Sequence, residues 1–384
     1  MASPFRVGGP VTGEFFTDRA DEVKEILRGM RHPTRMLIRG LRRQGKTSAL
    51  AQAGRRFREQ GGILLWADLS TLATLADLRD RVVSSLPTGF FGRFESLQLL
   101  VPMLEVVLVD PAMGTQAYRF RPSTSSRSEP GVREQVRVLI QSIDRRRDEL
   151  ERPVCIVFDE FQAILSIGEE RVDWFLRDIM QAAPDISFLC AGSQPSLLEA
   201  MANEKSAAFF KFFTPGPRFD PIDKDHLASW IAHRMTEAGV ACDHATAREI
   251  AGVGDRTQDV ILLADAVYSR GQRAGKVDQE DLAESLQSLL EREHDRYQRI
   301  WGSLTSNQRI GLRAIASGVR RLFANDTKPP IAASSLHRVI GALHTRGILT
   351  DGARDEEIDD PFFREWILRF AMPDSQPIPP APSP

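Results

Sequence analysis

The 384-residue chain has few cysteines, no zinc motif and no long uninterrupted apolar segment. Its three cysteines, Cys155, Cys190 and Cys242, are far apart in the sequence. Two of them lie in apolar, strand-like runs, which predicts buried, reduced thiols in a cytoplasmic protein. No Cys-x-x-Cys pair or histidine–cysteine cluster has the spacing of a structural zinc site. Neither a disulfide scaffold nor a zinc-stabilised fold is therefore expected.

Membrane and secretion signals are also missing. The longest apolar run, Leu97 to Val109, is interrupted by Gln98, Pro102 and Glu105 and is too short to span a bilayer. The N-terminus lacks the basic-then-apolar pattern of a signal peptide. We therefore expect a cytoplasmic protein without a membrane partner. The 50 basic and 52 acidic side chains nearly cancel, so only the local distribution of charge can indicate a nucleic-acid partner.

The most informative segment is Gly40–Thr47, which matches the phosphate-loop pattern G-x-x-x-x-G-K-T. An apolar, strand-like run at 36–39 precedes it, and a helical pattern from 47 to 60 follows it. A strand, a glycine loop and a helix N-terminus in this order direct several backbone N–H groups at one point, which suits a phosphate group. The alternative is a tight strand-to-helix turn that binds nothing.

Each residue type in this loop has a predicted role. Gly40 and Gly45 allow the backbone to approach a phosphate closely. Lys46 is expected to reach the β- and γ-phosphates of ATP, and the Thr47 hydroxyl is expected to bind Mg²⁺. The remaining nucleotide contacts predicted in the loop are Arg43, Gln44 and Ser48.

A second signal is the apolar run at 154–158, which ends in Asp159 and Glu160. Ligands of open α/β sheets bind at the C-terminal edge of the strands, where these carboxylates are placed. Asp159 is expected to hold Mg²⁺, and Glu160 to orient or deprotonate the water that attacks the γ-phosphate.

Four further side chains are candidates for the same site. The strand-like run at 186–191 is followed by Ser193 and Gln194, either of which could sense the γ-phosphate; the alternative is a plain helix cap. Arg256 begins a helix that could close over the nucleotide. Arg218 could act on a neighbouring subunit as an arginine finger, which would require a homo-oligomer. For both arginines a surface salt bridge is the competing interpretation.

The order of elements predicts an α/β fold with a parallel sheet, because strand-like runs at 36–39, 63–67, 154–158 and 186–191 alternate with helical patterns. The predicted domains are a P-loop ATPase core at 1–221, a helical lid at 222–297, a winged-helix domain at 298–371 and a disordered Pro-rich tail at 372–384. The stretch at about 88–130, with a Ser-rich basic loop at 122–130, is interpreted as an insertion in the core.

The winged-helix prediction follows from two helical patterns, at 303–317 and from Ser334 or Ser335 to about Thr345, and two short strand-like segments, at 347–350 and 357–359. Eight basic residues and one acidic residue lie between positions 299 and 350, a net charge of about +7, which is enough to engage several phosphates.

Four basic side chains are candidate DNA contacts: His337, Arg338, His344 and Arg346. Against DNA, the segment from Asp351 to Asp360 carries six acidic residues and would be repelled by phosphate. Docking of a protein partner, or packing alone, therefore remains open for this unit.

Together, the phosphate loop, the Asp159–Gln162 strand end, Gly192-Ser193 and the upstream segment Phe16–Arg19 resemble the archaeal-type P-loop ATPases of the AAA+/STAND division. The layout is also similar to that of origin-recognition ATPases, which end in a winged helix. The resemblance covers most of the chain outside the 88–130 insertion. It implies that Phe16 and Arg19 lie by the adenine of ATP. The lid segment reads Gly-Asp-Arg-Thr where many relatives carry Gly-His-Pro.

Two functions are consistent with these observations. The first is an ATP-hydrolysing AAA+-like switch that acts on DNA through the winged helix. The second is a STAND-type regulatory or defence ATPase that signals to a protein partner. A small-molecule kinase fits less well, because a carboxylate pair such as Asp159 and Glu160 suits activation of water.

Overall fold

The computed structural model describes residues 3–91, 104–110, 115–120, 131–319, 333–351 and 356–372. The chain forms two compact units. Gly8–Ile222 is called the sheet unit below, and Met1–Val7 together with Asp223–Pro384 is called the helical unit. The Ser-rich loop expected at 122–130 and the tail expected from 373 onwards lie outside the described residues.

The sheet unit alternates strands and helices, as the order of apolar runs predicts. Its strands and α-helices are α1 (Ala20–Arg31), β1 (Arg35–Arg39), α2 (Lys46–Glu59), β2 (Ile63–Asp68), α3 (Leu75–Ser84), β3 (Leu104–Asp110), β4 (Thr115–Phe120), α4 (Val132–Leu150), β5 (Val154–Asp159), α5 (Val172–Ala182), β6 (Ser187–Gly192), α6 (Pro195–Asn203) and β7 (Thr214–Arg218). Two short 3-10 helices cover Gly13–Phe15 and Phe161–Ser166.

Five parallel strands form the sheet in the order β2-β5-β6-β1-β7. Strands β1, β5 and β6 are apolar and largely buried, because helices cover both faces of the sheet. Strand β6 lies between β1 and β5. Its C-terminal end therefore separates the glycine loop, which follows β1, from the carboxylates that end β5.

Strand β7 was not predicted. It covers Thr214–Arg218 and contains Pro215 and Pro217, which do not fit a strand-like pattern. Proline cannot donate a ladder hydrogen bond, so it is tolerated at the edge of a sheet, and β7 pairs only with β1. Within the predicted insertion, β3 and β4 pair as an antiparallel hairpin.

One face of the sheet packs against an aromatic cluster that fixes the turn after β5. Phe161 is fully buried and contacts Phe158, Phe209 and Phe213, with ring centroids 5.1–6.2 Å apart across the cluster. Full burial of one phenylalanine side chain contributes about 1.5–3 kcal/mol. This anchoring fixes the backbone immediately after the Asp159-Glu160 pair.

The described residues of the helical unit form eight helices and two strands. In chain order they are α7 (Lys224–Glu237), α8 (His244–Ala251), α9 (Thr257–Gly271), α10 (Gln279–Arg292), α11 (His294–Gly302), α12 (Ser306–Ala316), α13 (Ala333–Thr345), β8 (Leu349–Asp351), β9 (Glu356–Ile358) and α14 (Pro361–Phe370). Helices α10 and α11 follow each other directly and meet at Glu293. Helices α7, α8, α10, α12 and α14 begin at an Asp or Thr side chain that accepts backbone N–H groups.

The first residues of the chain pack in the helical unit, although the sequence analysis assigned them to the core. Phe5 is buried against Trp230 and Tyr268. An aromatic side chain this close to the N-terminus gives no sequence signal of which unit will bury it. None of the described helices is long and apolar enough to cross a membrane.

Candidate nucleotide-binding site

The loop between β1 and α2 has the backbone that the glycine pattern predicts. At Gly40 a Cβ atom would lie 2.8 Å from Phe219 Cβ and 3.2 Å from Lys46 Cδ, so no side chain fits there without a rearrangement. Gly45 has φ 84° and immediately precedes α2, and Arg43 has φ 64°. Left-handed residues of this kind turn successive N–H groups toward one point at a helix N-terminus.

The loop is held in shape by its own side chains. The Lys46 Nζ atom donates a hydrogen bond to the Leu41 carbonyl at 2.7 Å, and Lys46 is only 6% exposed. Gln44 is buried, and its Oε1 atom accepts from the Leu41 N–H at 3.2 Å. The lysine ammonium group is therefore held at the loop itself, where a phosphate would need a positive charge.

Thr47 and Asp159 come from distant parts of the sequence and meet beside this loop. Thr47 Oγ1 donates to Asp159 Oδ2 at 3.0 Å, and Asp159 Oδ1 accepts from the Glu160 N–H at 3.1 Å. Burial raises the pKa of Asp159 to about 6, although the bond from Thr47 opposes the shift. A hydroxyl and a carboxylate oxygen are hard donors of the kind Mg²⁺ prefers, so the residues present fit a magnesium–nucleotide complex.

Glu160 and Ser193 are brought together at the ends of neighbouring strands. Ser193 Oγ donates to Glu160 Oε2 at 2.6 Å. Gln162 donates to the same oxygen through Nε2 at 2.5 Å. Glu160 has φ 54°, which costs a non-glycine residue energy and is characteristic of functional sites. The carboxylate is thus held in one orientation by two neutral donors.

Arg19 is tied to the phosphate loop and to the segment after β7. It is buried, and its guanidinium donates to the carbonyls of Gln44, at 3.4 Å, and Asp220. It also pairs with Glu22 at 2.8 Å and stacks on the Phe219 ring at 5.3 Å. These contacts join three segments around the loop.

The segment leading to Phe16 lies along α2. Val11 N–H donates to Ser48 Oγ at 3.1 Å, and Gly13 N–H donates to Gln52 Oε1 at 3.2 Å. Phe16 is half-buried against the core beneath α1 and α2. Arg19 contacts the loop and Phe16 packs against the core that includes α2, which is compatible with the adenine contact that the resemblance implied. That contact stays a prediction.

The two candidate arginines have opposite surroundings. Arg218 ends the edge strand β7, opposite Arg39 of β1, and its side chain is exposed. The Arg218 side chain makes no hydrogen bond or ion pair with another described residue. Arg256 precedes α9 in the helical unit, is 5% exposed and pairs with Asp359 at 3.1 Å. The catalytic roles predicted for both stay predictions.

The four candidate DNA contacts also differ in their surroundings. His337 and Arg338 are exposed on α13. His344 is half-buried and pairs with Glu356 of β9, and the Arg346 guanidinium donates to Ser303 Oγ at 2.5 Å. The described part of the unit therefore presents less free positive charge than the sequence count suggests.

Sequence reasoning missed two residues of the site. Gln162 and Gly192 both belong to motifs that carry the resemblance, but neither was given a function of its own. Their importance depends on contacts between β5 and β6, which no local pattern reports. The only available signal was the position of Gln162 two residues after Glu160.

A scan against models of protein families and a search of curated proteins each found no match to the sequence. Among solved structures, the Walker-type ATPase of Pyrococcus abyssi matches with a TM-score of 0.63 and 14% identity, over 95% of this chain and 99% of that chain. The ORC2 protein of Aeropyrum pernix, in ADPNP–ADP complexes, matches with a TM-score of 0.55 and 13% identity, over 92% of this chain and 93% of that chain. The chain therefore shares the AAA+-like P-loop fold of these two structures. At this level of identity the likeness concerns the fold, so the chemistry has to be argued from the residues.

Proposed function

We propose that the protein binds ATP with Mg²⁺ and hydrolyses it. The observation that carries this proposal is the 3.0 Å hydrogen bond between Thr47 Oγ1 and Asp159 Oδ2, beside the glycine loop and next to Glu160. A phosphate loop alone would serve any nucleotide-binding protein. A second carboxylate next to the magnesium position adds a group suited to acting on water.

Each side chain has a defined task in this proposal. The loop N–H groups and Lys46 hold the phosphates, while Thr47 and Asp159 hold the metal ion. When bound, Mg²⁺ supplies positive charge that offsets the charge of the phosphate oxygens. Glu160 accepts a proton from the attacking water or orients it, and Ser193 donates to the terminal phosphate.

The test of this proposal is Mg²⁺-dependent ATP turnover in Lys46→Ala. Loss of the ammonium group removes a charge-assisted contact to phosphate. We therefore expect the rate of ATP turnover at saturating ATP to fall at least about 100-fold. The matched control is Arg55→Ala, because Arg55 is an exposed residue of the same helix and, among the described residues, forms an ion pair with Glu59 alone. Turnover that persists unchanged in Lys46→Ala would show that the loop is not the site.

We further propose that the nucleotide state controls a DNA-binding surface in the helical unit. The elements α12, α13, β8 and β9 follow one another in the order of a winged helix, and we propose that they form one. Helix α13 exposes His337 and Arg338 beside the small residues Gly341 and Ala342, a surface that leaves room for a close approach to a duplex.

The alternative is a STAND-type switch that signals to a protein partner. It is favoured by the internal use of basic side chains in the same unit. His344 pairs with Glu356, Arg309 donates to the Trp301 and Gly302 carbonyls, and Arg313 donates to the Ala371 carbonyl. Groups held in this way are less free to contact phosphate.

Salt-dependent binding to duplex DNA separates the two possibilities. We expect Arg338→Glu to weaken binding at least about 10-fold and to reduce the salt slope by about one to two. Arg273→Glu, an exposed position elsewhere in the helical unit, is the matched control because it changes the total charge equally. Equal effects of both variants, or no DNA binding at physiological salt, would favour the protein-partner alternative.

A further inference from the structure

Gln162 is buried in the sheet unit and contacts the Glu160 carboxylate, yet the proposed chemistry gives it no task. Its Nε2 atom donates to Glu160 Oε2 at 2.5 Å and to Ser193 Oγ at 3.4 Å. Ser193 Oγ in turn donates to the same Glu160 oxygen at 2.6 Å. The three side chains form a closed triangle in which one carboxylate oxygen receives two donors.

The backbone around Gln162 is built to hold this amide. Its neighbour Phe161 is fully buried, which fixes the short 3-10 helix that carries both residues. At Gly192 a Cβ atom would lie 2.2 Å from Gln162 Oε1, so the absence of a side chain at Gly192 makes room for the amide. Two neighbouring strand ends therefore position one glutamine.

The orientation of the amide shows which of its ends matters. Gln162 Oε1 is buried and accepts no hydrogen bond from a described residue. An unsatisfied buried acceptor costs about 1–3 kcal/mol, a cost that an apolar side chain of similar size would avoid. The opposite orientation would set the amide oxygen against a carboxylate oxygen. The position of Gln162 is therefore explained by the hydrogen bonds that its Nε2 atom donates, not by its amide oxygen.

The two donors to Glu160 differ in what else they can do. A serine hydroxyl has one proton, so Ser193 must leave Glu160 in order to donate to a terminal phosphate. A glutamine amide has two protons, and Gln162 can stay. We propose that Gln162 is a positioning residue that keeps the Glu160 carboxylate in place when Ser193 turns to the nucleotide. This inference rests on the proposed hydrolysis of ATP.

The test compares kcat, KM and the affinity for a fluorescent ATP analogue in wild type, Gln162→Met and Gln162→Glu. Methionine keeps the length of the side chain and removes the donor, and glutamate also places a like charge beside Glu160. We expect kcat to fall about 10- to 100-fold in Gln162→Met and at least as much in Gln162→Glu. KM and the affinity for the analogue should stay within about two-fold, because the Gln162 side chain makes no hydrogen bond with a described residue of the phosphate loop.

The control is Gln135→Met, because Gln135 is a second buried glutamine of the sheet unit whose amide oxygen accepts from Arg79. Its kcat should match that of the wild type, and thermal melts of all variants show whether they are folded. An unchanged or increased kcat in folded Gln162→Met would overturn the positioning role alone. A parallel loss of kcat and ATP affinity would do so too. Wild-type protein that binds ATP without turnover would instead refute the proposed hydrolysis, and this role with it.

Discussion

Arg218 in the sheet unit and Arg256 in the helical unit are both predicted to serve the nucleotide, but their surroundings differ. The Arg218 side chain is exposed at the end of an edge strand and has no ion-pair partner among the described residues. Arg256 is buried and paired with Asp359 at 3.1 Å. A buried guanidinium that already has a carboxylate partner is neutralised and costly to release, whereas an exposed one is available. The comparison favours Arg218 as a functional group and Arg256 as a structural one.

The largest effect that this comparison predicts is on catalysis by Arg218→Ala. An arginine that stabilises the charge of phosphoryl transfer contributes about 10³-fold or more, so we expect turnover to fall about that far with little change in stability. If Arg218 acts on a neighbouring subunit, the specific activity of the wild type should rise with protein concentration. Mixing Arg218→Ala with Lys46→Ala protein should then restore turnover. An unchanged rate of turnover in Arg218→Ala would contradict the assignment of Arg218 as a functional group.

The next largest effect is on the pH dependence of the free energy of unfolding, through the Asp159 carboxyl group. The pKa of Asp159 is raised to about 6 in the folded chain, against 3.8 when unperturbed, so the folded state binds the proton more tightly. The contribution of Asp159 to stability is therefore lost as the pH rises from about 4 to about 6, and the buried charge then costs up to about 3 kcal/mol.

Replacing Asp159 with asparagine keeps an acceptor for Thr47 and removes this charge. We expect the free energy of unfolding of nucleotide-free Asp159→Asn to exceed that of the wild type by about 1–3 kcal/mol at about pH 7.5. The gap should close toward about pH 4. Chemical denaturation across this range provides the measurement, and a gap that widens in acid would contradict the assigned direction.

The smallest effect is expected from Arg256→Ala. The variant leaves Asp359 without its partner, and because Asp359 is 28% exposed we expect a loss of only about 1–3 kcal/mol in the free energy of unfolding. Turnover by the folded fraction should remain within about two-fold of the wild type. Turnover that falls as far as in Arg218→Ala, without a loss of stability, would instead make Arg256 part of the nucleotide site.

Much of the arrangement of the candidate nucleotide site could be predicted from the sequence because its parts are local. The phosphate loop is one continuous segment, and Asp159 and Glu160 directly follow an apolar strand. The order of strands, with β6 between β1 and β5, is not encoded in any local pattern. The contacts of Ser193 and Gln162 with Glu160 depend on this order, so they could not be predicted either. The pairing of Arg256 with Asp359 joins residues 103 positions apart, so the sequence could offer Arg256 only as a candidate.

Strand β7 illustrates a different limit. Two prolines in five residues oppose an ordinary strand, and only its place at the edge of the sheet removes the conflict. That place in turn positions Arg218 at the same edge of the sheet as the phosphate loop. Arg218 could be named as a candidate from the sequence, but the exposure of its side chain could not be predicted.

The most direct test of the account is a comparison of ATP binding and ATP turnover in Glu160→Gln. Glutamine has nearly the same shape as glutamate and cannot accept the proton of water as a carboxylate does. We expect Glu160→Gln to bind the ATP analogue as tightly as the wild type, within about two-fold, while kcat falls at least about 100-fold. Turnover of Glu160→Gln at the wild-type rate would contradict the assignment of Glu160 as the group that acts on water, and with it the proposed hydrolytic site.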